Sequence, residues 1–381
     1  MPTFVDIVPY IPSKFNVFFG SHCVSNNVDQ LKLGGSCAIV TGRSSAVKSG
    51  ALNDVTTSLA ALNISYTIFN EIEQNPLYST VFKAFENLPK VDFIIAIGGG
   101  SPMDASKLLS VMMANHNPGS ISEEDMQKTV FTTKYEQNLP LVCITTTCGS
   151  GSEVTPYAVI TDTIHGNKRN LATPVYPTVS FVDPLYLTTL PRSYVISTAL
   201  DALSHLIEPR MTVKGRGDEK VCELVEIGLG MWKSLFSILD SDTSSLFYHD
   251  LALMQLIGGL TITFAGTTIV HAVGYCLTFH LNVLHGVANS LVMPAFFEFY
   301  KKYDSELVDL VLLQMGLSSI SQFKTTINSL LVTLPREYVT VEIKQDDIEM
   351  FSKKVLMQKN KLETCPYEVT DTDIKKIYES I

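Results

Sequence analysis

Residues 251–297 include no Asp, Glu, Lys or Arg. So long a stretch without charge has to be withdrawn from water, into lipid or into a protein core. Its polar content favours the core. Gln255, the Gly258-Gly259 pair, several threonines, Asn282 and the histidines His271, His280 and His285 lie inside it, and no basic cluster flanks it as at a membrane boundary. The stretch therefore predicts buried helices packed around a polar site, with no membrane partner.

The first half of the chain has another pattern. Runs at 36–41 (SCAIVT), 65–69 (SYTIF), 93–98 (FIIAIG), 141–146 (LVCITT) and 179–183 (VSFVD) read as strands, with helical patterns at 47–62, 77–88 and 103–113 between them. That alternation predicts a parallel sheet with crossover helices, and the continuous apolar strands predict cover on both faces. After Asp183-Pro184 the strand signals fade and apolar segments at helical spacing dominate. The expected division is an α/β nucleotide-binding domain over residues 1–184 and an all-helical domain over residues 185–381. Charged residues return from Lys301 onward, as on solvent-facing helices, and little function is expected of that tail.

With 381 residues, 46% of them hydrophobic, the chain can bury a substantial core. A net charge of −10 and a pI near 5.3, with no basic stripe, exclude nucleic acid and anionic membranes as partners. Seven scattered cysteines without a Cys-x-x-Cys pair read as free thiols of a reducing compartment. The opening residues Met-Pro-Thr-Phe-Val-Asp-Ile lack the pattern of a signal peptide, so a cytoplasmic location is expected.

Two loops have the chemistry of a phosphate cradle. The apolar run FIIAIG leads into Gly98-Gly99-Gly100-Ser101-Pro102 and a helix expected from about Met103. Glycines allow close backbone approach, and a helix N-terminus offers unpaired N–H groups to a pyrophosphate. Asp104 is placed in the first helical turn, where it can fix the loop. A tight strand-to-helix turn without a ligand has the same glycines, and the spacing is not G-x-G-x-x-G. The second loop follows LVCITT and carries Thr146, Thr147, Ser150 and Glu153 around Gly149 and Gly151, at the strand end where open α/β sheets bind ligands.

Asp201 and His205 are four apart on a helical pattern, so their side chains share one face. His271 and His285 are fourteen apart, about 21 Å along an unbroken helix. They reach one ion only if the chain bends between them, and the weak helix formers from His280 to Gly286 permit that bend. A lone histidine is usually a packing residue, but three histidines and one acid in an apolar half need polar partners. A set of imidazoles and one carboxylate without thiolate suits Fe²⁺ or Zn²⁺ and is poor for Ca²⁺ or Mg²⁺. His280 ranks below the other two histidines of the stretch.

Taken in order, GGGSPMDASK (98–107), ITTTCGSGSEVTP (144–156), DPLYLTTLP (183–191), DALSH (201–205) and GTTIVHAVGYCLTFHLNVLHGVANSLVMP (266–294) resemble the iron-containing (group III) alcohol dehydrogenase family. The resemblance covers most of the chain. It implies the family's two-domain fold, with metal and cofactor in the cleft between the domains, and an enzyme that exchanges hydride between a small alcohol or diol and NAD(P). Carried over by position, it implies Asp201, His205, His271 and His285 as metal ligands. It implies Asn75, Gly99, Gly100, Ser101, Asp104, Thr146, Thr147, Ser150, Lys168 and Leu187 as cofactor contacts, and a homodimer.

Three departures stand out. Where NAD-preferring members have an Asp after the first strand, this chain has Gly42, followed by Arg43 and Ser44, which favours NADP. Where many members have a second histidine four residues after His271, Tyr275 stands, so Tyr275 joins His271 as the expected catalytic pair. Cys365-Pro366-Tyr367 replaces a more usual Asn-Pro-Arg. Alternatives within reach of the same residues are a glycerol or polyol dehydrogenase, a lyase of the dehydroquinate synthase type, and a non-catalytic NADP-binding protein.

Overall fold

A computed structural model describes residues 2–239, 241 and 244–381 of the chain. Its strands are β1 (Asn16–Phe19), β2 (Ser36–Gly42), β3 (Ser65–Ile72), β4 (Phe93–Gly98), β5 (Leu141–Thr145), β6 (Val159–Asp162), β7 (Asn167–Asn170) and β8 (Val179–Val182). Six of them form one parallel sheet ordered β1-β8-β5-β4-β2-β3. Every residue of β4 is buried, and its alternate side chains feed two cores. Ile94 and Ala96 pack with Tyr78, Val81, Phe85, Leu108 and Met112 on one face. Phe93, Ile95 and Ile97 pack with Ala51, Val55 and Leu59 on the other. Period-2 alternation inside an all-apolar strand thus becomes a sheet covered on both sides.

Some local expectations shift. The helix expected from Met103 begins at Gly100, because Pro102 is tolerated in a first helical turn and so does not delay it. Asp104 therefore lies beyond the first turn, and its dipole role gives way to the bonds described below. The helix expected over 47–62 is two, Ser45–Lys48 and Ala51–Ala61, parted at Gly50, whose φ of +86° is open to glycine. Strand β1 and the antiparallel hairpin β6–β7 have no counterpart in the expected elements. β1 is only four residues long, and the β7 sequence Asn-Lys-Arg-Asn has no apolar alternation.

The chain divides into two units: Ile11–Leu190 with Ser244–Ala252, and the residues up to Tyr10 with Pro191–Thr243 and Leu253–Ile381. The second unit is helical. Helix Arg192–Met211 is buried along most of its length. The charge-free stretch breaks into the end of helix Ser245–Ala265, then helices Ile269–His280 and His285–Lys301. The first two are bent by 114°, and no single described helix is long and apolar enough to cross a membrane. The bent pair passes that test only jointly, by length and composition, and residues 251–262 are buried in protein.

Asn282, at φ +55°, turns the chain between His280 and His285. Helix His285–Lys301 then meets helix Arg192–Met211 backbone to backbone, since a Cβ on Gly286 would lie 1.7 Å from the Ser197 carbonyl oxygen. Gly286→Ala is expected to lower stability by about 1–3 kcal/mol through overpacking. The measurement is the urea midpoint at constant slope; an unchanged midpoint would show that the two helices have room to part.

Candidate active site

Asp201 and His205 project from helix Arg192–Met211, His271 from helix Ile269–His280, and His285 opens helix His285–Lys301. The bend at Asn282 brings the last two together. Asp201 Oδ1 lies 3.6 Å from His285 Nε2, 3.7 Å from His271 Nε2 and 3.8 Å from His205 Nε2. The Nε2 atoms of His205 and His271 are 3.0 Å apart. Donors bonded at about 2.1 Å around a tetrahedral ion sit about 3.4 Å from one another, so these separations fit atoms that share one cation. Asp201, His271 and His285 also group by themselves as atoms within 4.8 Å of one another.

Protonation supports the same use. His271 Nδ1 is hydrogen-bonded to the buried carboxylate of Glu208, so Nδ1 keeps its proton and Nε2 turns a lone pair toward Asp201 and His205. Glu208 also accepts from the backbone N–H groups of Thr268 at 2.8 Å and Val270 at 2.9 Å, which tie it to the start of His271's helix. Burial pushes the Glu208 carboxyl up to about 7, against the pull of Lys361 and the backbone amides. Burial also opposes ionisation of Asp201, but His205, His285, His271 and the Asn289 amide outweigh it and hold that carboxyl below its ordinary value.

Asn289, one helical turn beyond His285, donates from Nδ2 to Asp201 Oδ1 at 2.9 Å, while its own Oδ1 is buried without a hydrogen-bond partner. Its Nδ2 also lies 3.4 Å from both His271 Nε2 and His285 Nε2. A carboxylate, three imidazoles and an incompletely satisfied amide around one point are what a borderline divalent cation would complete.

Tyr275 stacks on His285 at 5.5 Å between ring centres and meets His271 edge-on at 6.0 Å. His280 is elsewhere, stacked on Phe351 at 5.2 Å. Tyr367, in the altered Cys-Pro-Tyr segment, stacks on Tyr303 at 4.3 Å and receives the Arg216 guanidinium over its ring at 5.3 Å.

In the sheet unit, the loops after β4 and β5 touch. The Thr146 N–H donates to the Gly98 carbonyl at 2.9 Å, and a Cβ on Gly100 would reach the Ser150 Cβ at 3.0 Å. Helix Gly100–Asn115 starts with no side-chain cap, which leaves the first N–H groups of Gly100 and Ser101 for an anion. Ser101 Oγ accepts the Asn75 N–H at 3.2 Å, and Lys168 on β7 donates to Asn75 Oδ1 at 2.7 Å. Thr146 Oγ1 is buried without a hydrogen-bond partner. This cradle lies at the carboxyl ends of β4 and β5. Gly42 ends the neighbouring β2, and Arg43 and Ser44, both exposed, follow it. Leu187 is buried at the end of the turn Pro184–Leu187.

Several residues of these sites escaped the sequence reading. Glu208 continues the face of Asp201 and His205 at the next helical repeat, a spacing that could have revealed it. Asn289 repeats the same logic from His285. Buried Lys107 donates to Ser152 Oγ at 2.7 Å, the Ser152 carbonyl at 2.8 Å and the Tyr157 carbonyl at 2.7 Å. Asp104 accepts from Ser152 Oγ at 2.7 Å and the Val159 N–H at 2.9 Å, so it braces the second loop. Lys361, in the C-terminal tail, bonds Thr267 Oγ1 through Nζ and lies 5.6 Å from the Tyr275 ring centre.

Comparison with known proteins gives one answer throughout. Residues 14–184 match the family described as iron-containing alcohol dehydrogenase, and residues 195–381 match its C-terminal domain family. The long-chain-alcohol dehydrogenase 1 of Geobacillus thermodenitrificans is 26% identical over 379 residues, 94% of each chain. Lactaldehyde reductase of Escherichia coli is 29% identical over 287 residues, 73% of this chain and 72% of that one. The crystal structure of an iron-containing alcohol dehydrogenase from Thermotoga maritima superposes with a TM-score of 0.85 at 31% identity, covering 97% of this chain and 98% of that one. With both halves matched and the fold shared end to end, the chain belongs to the iron-containing alcohol dehydrogenase family.

Proposed function

We propose that the chain interconverts small alcohols or diols and their aldehydes by hydride exchange with a nicotinamide dinucleotide, NADP in preference to NAD. One observation carries this: Asp201, His271 and His285, from three helices, present donor atoms within 4.8 Å of one another, and His205 Nε2 lies 3.8 Å from Asp201 Oδ1 and 3.0 Å from His271 Nε2. A divalent ion held by Asp201, His205, His271 and His285, iron or zinc, would supply the charge that polarises the substrate oxygen, and the nicotinamide would supply or accept the hydride.

The side chains do the rest. Glu208 fixes the tautomer of His271, and Asn289 holds Asp201 Oδ1 in register with the imidazoles. The surrounding apolar helices exclude water and so strengthen every charge interaction at the centre. Tyr275 carries a phenol on a ring packed against two of the ligands, and we assign it the proton of the substrate hydroxyl. Gly99, Gly100 and Ser101 offer backbone N–H groups to the cofactor pyrophosphate, with Thr146, Thr147, Ser150, Asn75, Lys168 and Leu187 as further contacts. Gly42 brings no carboxylate to repel a 2′-phosphate, and Arg43 with Ser44 can bind one. The free cysteines suit a reducing cytoplasm, and the family likeness suits a homodimer.

His271→Ala is expected to lose bound metal and turnover together, read by elemental analysis and by absorbance at the nicotinamide band. Full activity in a strong chelator would eliminate the metal mechanism. For the cofactor, Arg43→Ala should lower the ratio of kcat/KM for NADPH over NADH by about tenfold, the worth of one charge-assisted contact. A ratio that does not move would remove Arg43 from 2′-phosphate recognition.

A further inference from the structure

Strand β3 (Ser65–Ile72) is the longer edge of the parallel sheet, and no charge guards it. Residues 55–70 contain no Asp, Glu, Lys or Arg, in a chain of net charge −10. Glu71, the first charge after them, is already answered by Lys83 at 2.7 Å. The regular part of the strand, Ser65 to Phe69, pairs with Ser36 to Val40 of β2, and the register shifts only beyond Phe69. An edge strand left uncharged, unbent and free of proline is a template for another strand. The opposite edge, β1, is four residues long and partly covered from Val17 onward.

Ser65, Tyr66, Thr67 and Ile68 are exposed in succession, so this half of β3 stands clear of the flanking helices on both faces. Every residue of β4 and β5, by contrast, is buried. Two of the four are large apolar side chains on one face, Tyr66 at 43% and Ile68 at 41% exposure.

The backbone fixes which residues can pair. The Ser65 N–H donates to the Gly35 carbonyl at 3.0 Å, so the N–H and C=O groups of Ser65, Thr67 and Phe69 face β2. Those of Tyr66 and Ile68 face outward, and among the described residues no strand receives them. An antiparallel strand related by a two-fold axis through Thr67 satisfies all of these groups at once. Tyr66 of each copy then lies opposite Ile68 of the other and exchanges two hydrogen bonds with it, while Thr67 stands opposite Thr67. Both side-chain pairings are favourable, aromatic against β-branched and Thr against Thr. A register centred on Ile68 would instead set Tyr66 against Asn70, where the strand is no longer regular.

We infer that β3 joins two copies of this chain edge to edge, antiparallel about Thr67, so that the sheet of one copy continues into that of the other. The occupant is a second copy because the pattern is self-complementary, as a two-fold contact requires. The charge-free run over residues 55–70 lets two acidic chains approach there without repulsion. The inference rests on the homodimer proposed above, whose contact surface it names, and does not depend on the dehydrogenase activity.

The test is the mass of the full-length protein, measured by light scattering during gel filtration, for the wild type, Thr67→Lys and Ile68→Pro. Thr67→Lys sets two ammonium groups opposite each other, and Ile68→Pro removes an N–H that faces away from β2. The wild type is expected at twice the mass of one chain, and both substitutions are expected to halve it. Register is read separately by mild oxidation of Thr67→Cys and Ser65→Cys, each with the half-buried Cys222 changed to Ser. In this register two Thr67 Cβ atoms lie about 5 Å apart and can be bridged, whereas two Ser65 residues lie about 14 Å apart, an offset of four residues. A covalent dimer from Thr67→Cys and none from Ser65→Cys is the expected result, and it reads the interface even if Thr67→Lys or Ile68→Pro does not fold. Equal cross-linking at both positions, or none at Thr67→Cys, overturns the inference. A dimer whose mass neither substitution changes overturns it too, and leaves the homodimer standing on another surface. A monomeric wild type refutes both and leaves the edge to a strand of another protein.

Discussion

An ionised carboxylate inside an apolar helical core is the constraint around which the second unit is organised. Asp201 is nearly enclosed, and burying such a charge is costly unless opposite charge or strong hydrogen bonds surround it. Three imidazoles and the Asn289 amide supply that environment, His205 from Asp201's own helix and the others from two helices that must come close to deliver them. The helices that form the core are thus also the helices that form the site. A cation bound there would join helices Arg192–Met211, Ile269–His280 and His285–Lys301, so occupancy would add to folding stability by mass action.

The sheet unit solves a similar problem with the opposite sign. Lys107 is fully buried, and its ammonium is satisfied by the Ser152 and Tyr157 carbonyls and by Ser152 Oγ, with Asp104 Oδ1 3.9 Å away. Because those partners belong to the segment after β5, while Lys107 and Asp104 belong to the helix after β4, the buried pair locks one loop against the other. The N–H groups of Gly100 and Ser101 and the hydroxyl of Thr146 are then fixed without any cap of their own. Preorganised donors of this kind bind an anion without first having to be ordered.

What the amino-acid sequence discloses follows the range of the interactions. β2, β4 and β5 are legible because burial on both faces writes an unbroken apolar run. β1 and β7 are not, being short or polar and dependent on their neighbours. Asp201 with His205 is legible because helical spacing alone makes them neighbours. The meeting of His271 with His285 needs the turn at Asn282, which weak helix formers only permit. Glu208 and Asn289 lie on readable faces, but an acid or amide in an apolar helix has many ordinary uses, so the spacing does not single them out. Lys361 could not be found in this way at all. Nothing local in residues 358–364 announces that this segment will lie against Thr267 and Ala272, nearly a hundred residues earlier.

The glycines of the helical unit show how closely packing and chemistry are joined. A Cβ on Gly286 would strike the Ser197 carbonyl and come within 2.9 Å of the Asp201 N–H, so this glycine lets His285 reach Asp201. A Cβ on Gly274 would lie 2.2 Å from Asn289 Oδ1, and one on Gly258 would press on His205 Cβ at 3.2 Å. Each stands opposite a donor residue or its hydrogen-bonding partner, on a different helix. Glycine costs helix stability, about 1 kcal/mol relative to alanine, and a core packed for stability alone would fill those positions. Leaving them empty draws the helix axes together where the donors must meet. The same residues that look unfavourable for a helix are therefore the ones that set the donor-to-donor distances of the centre.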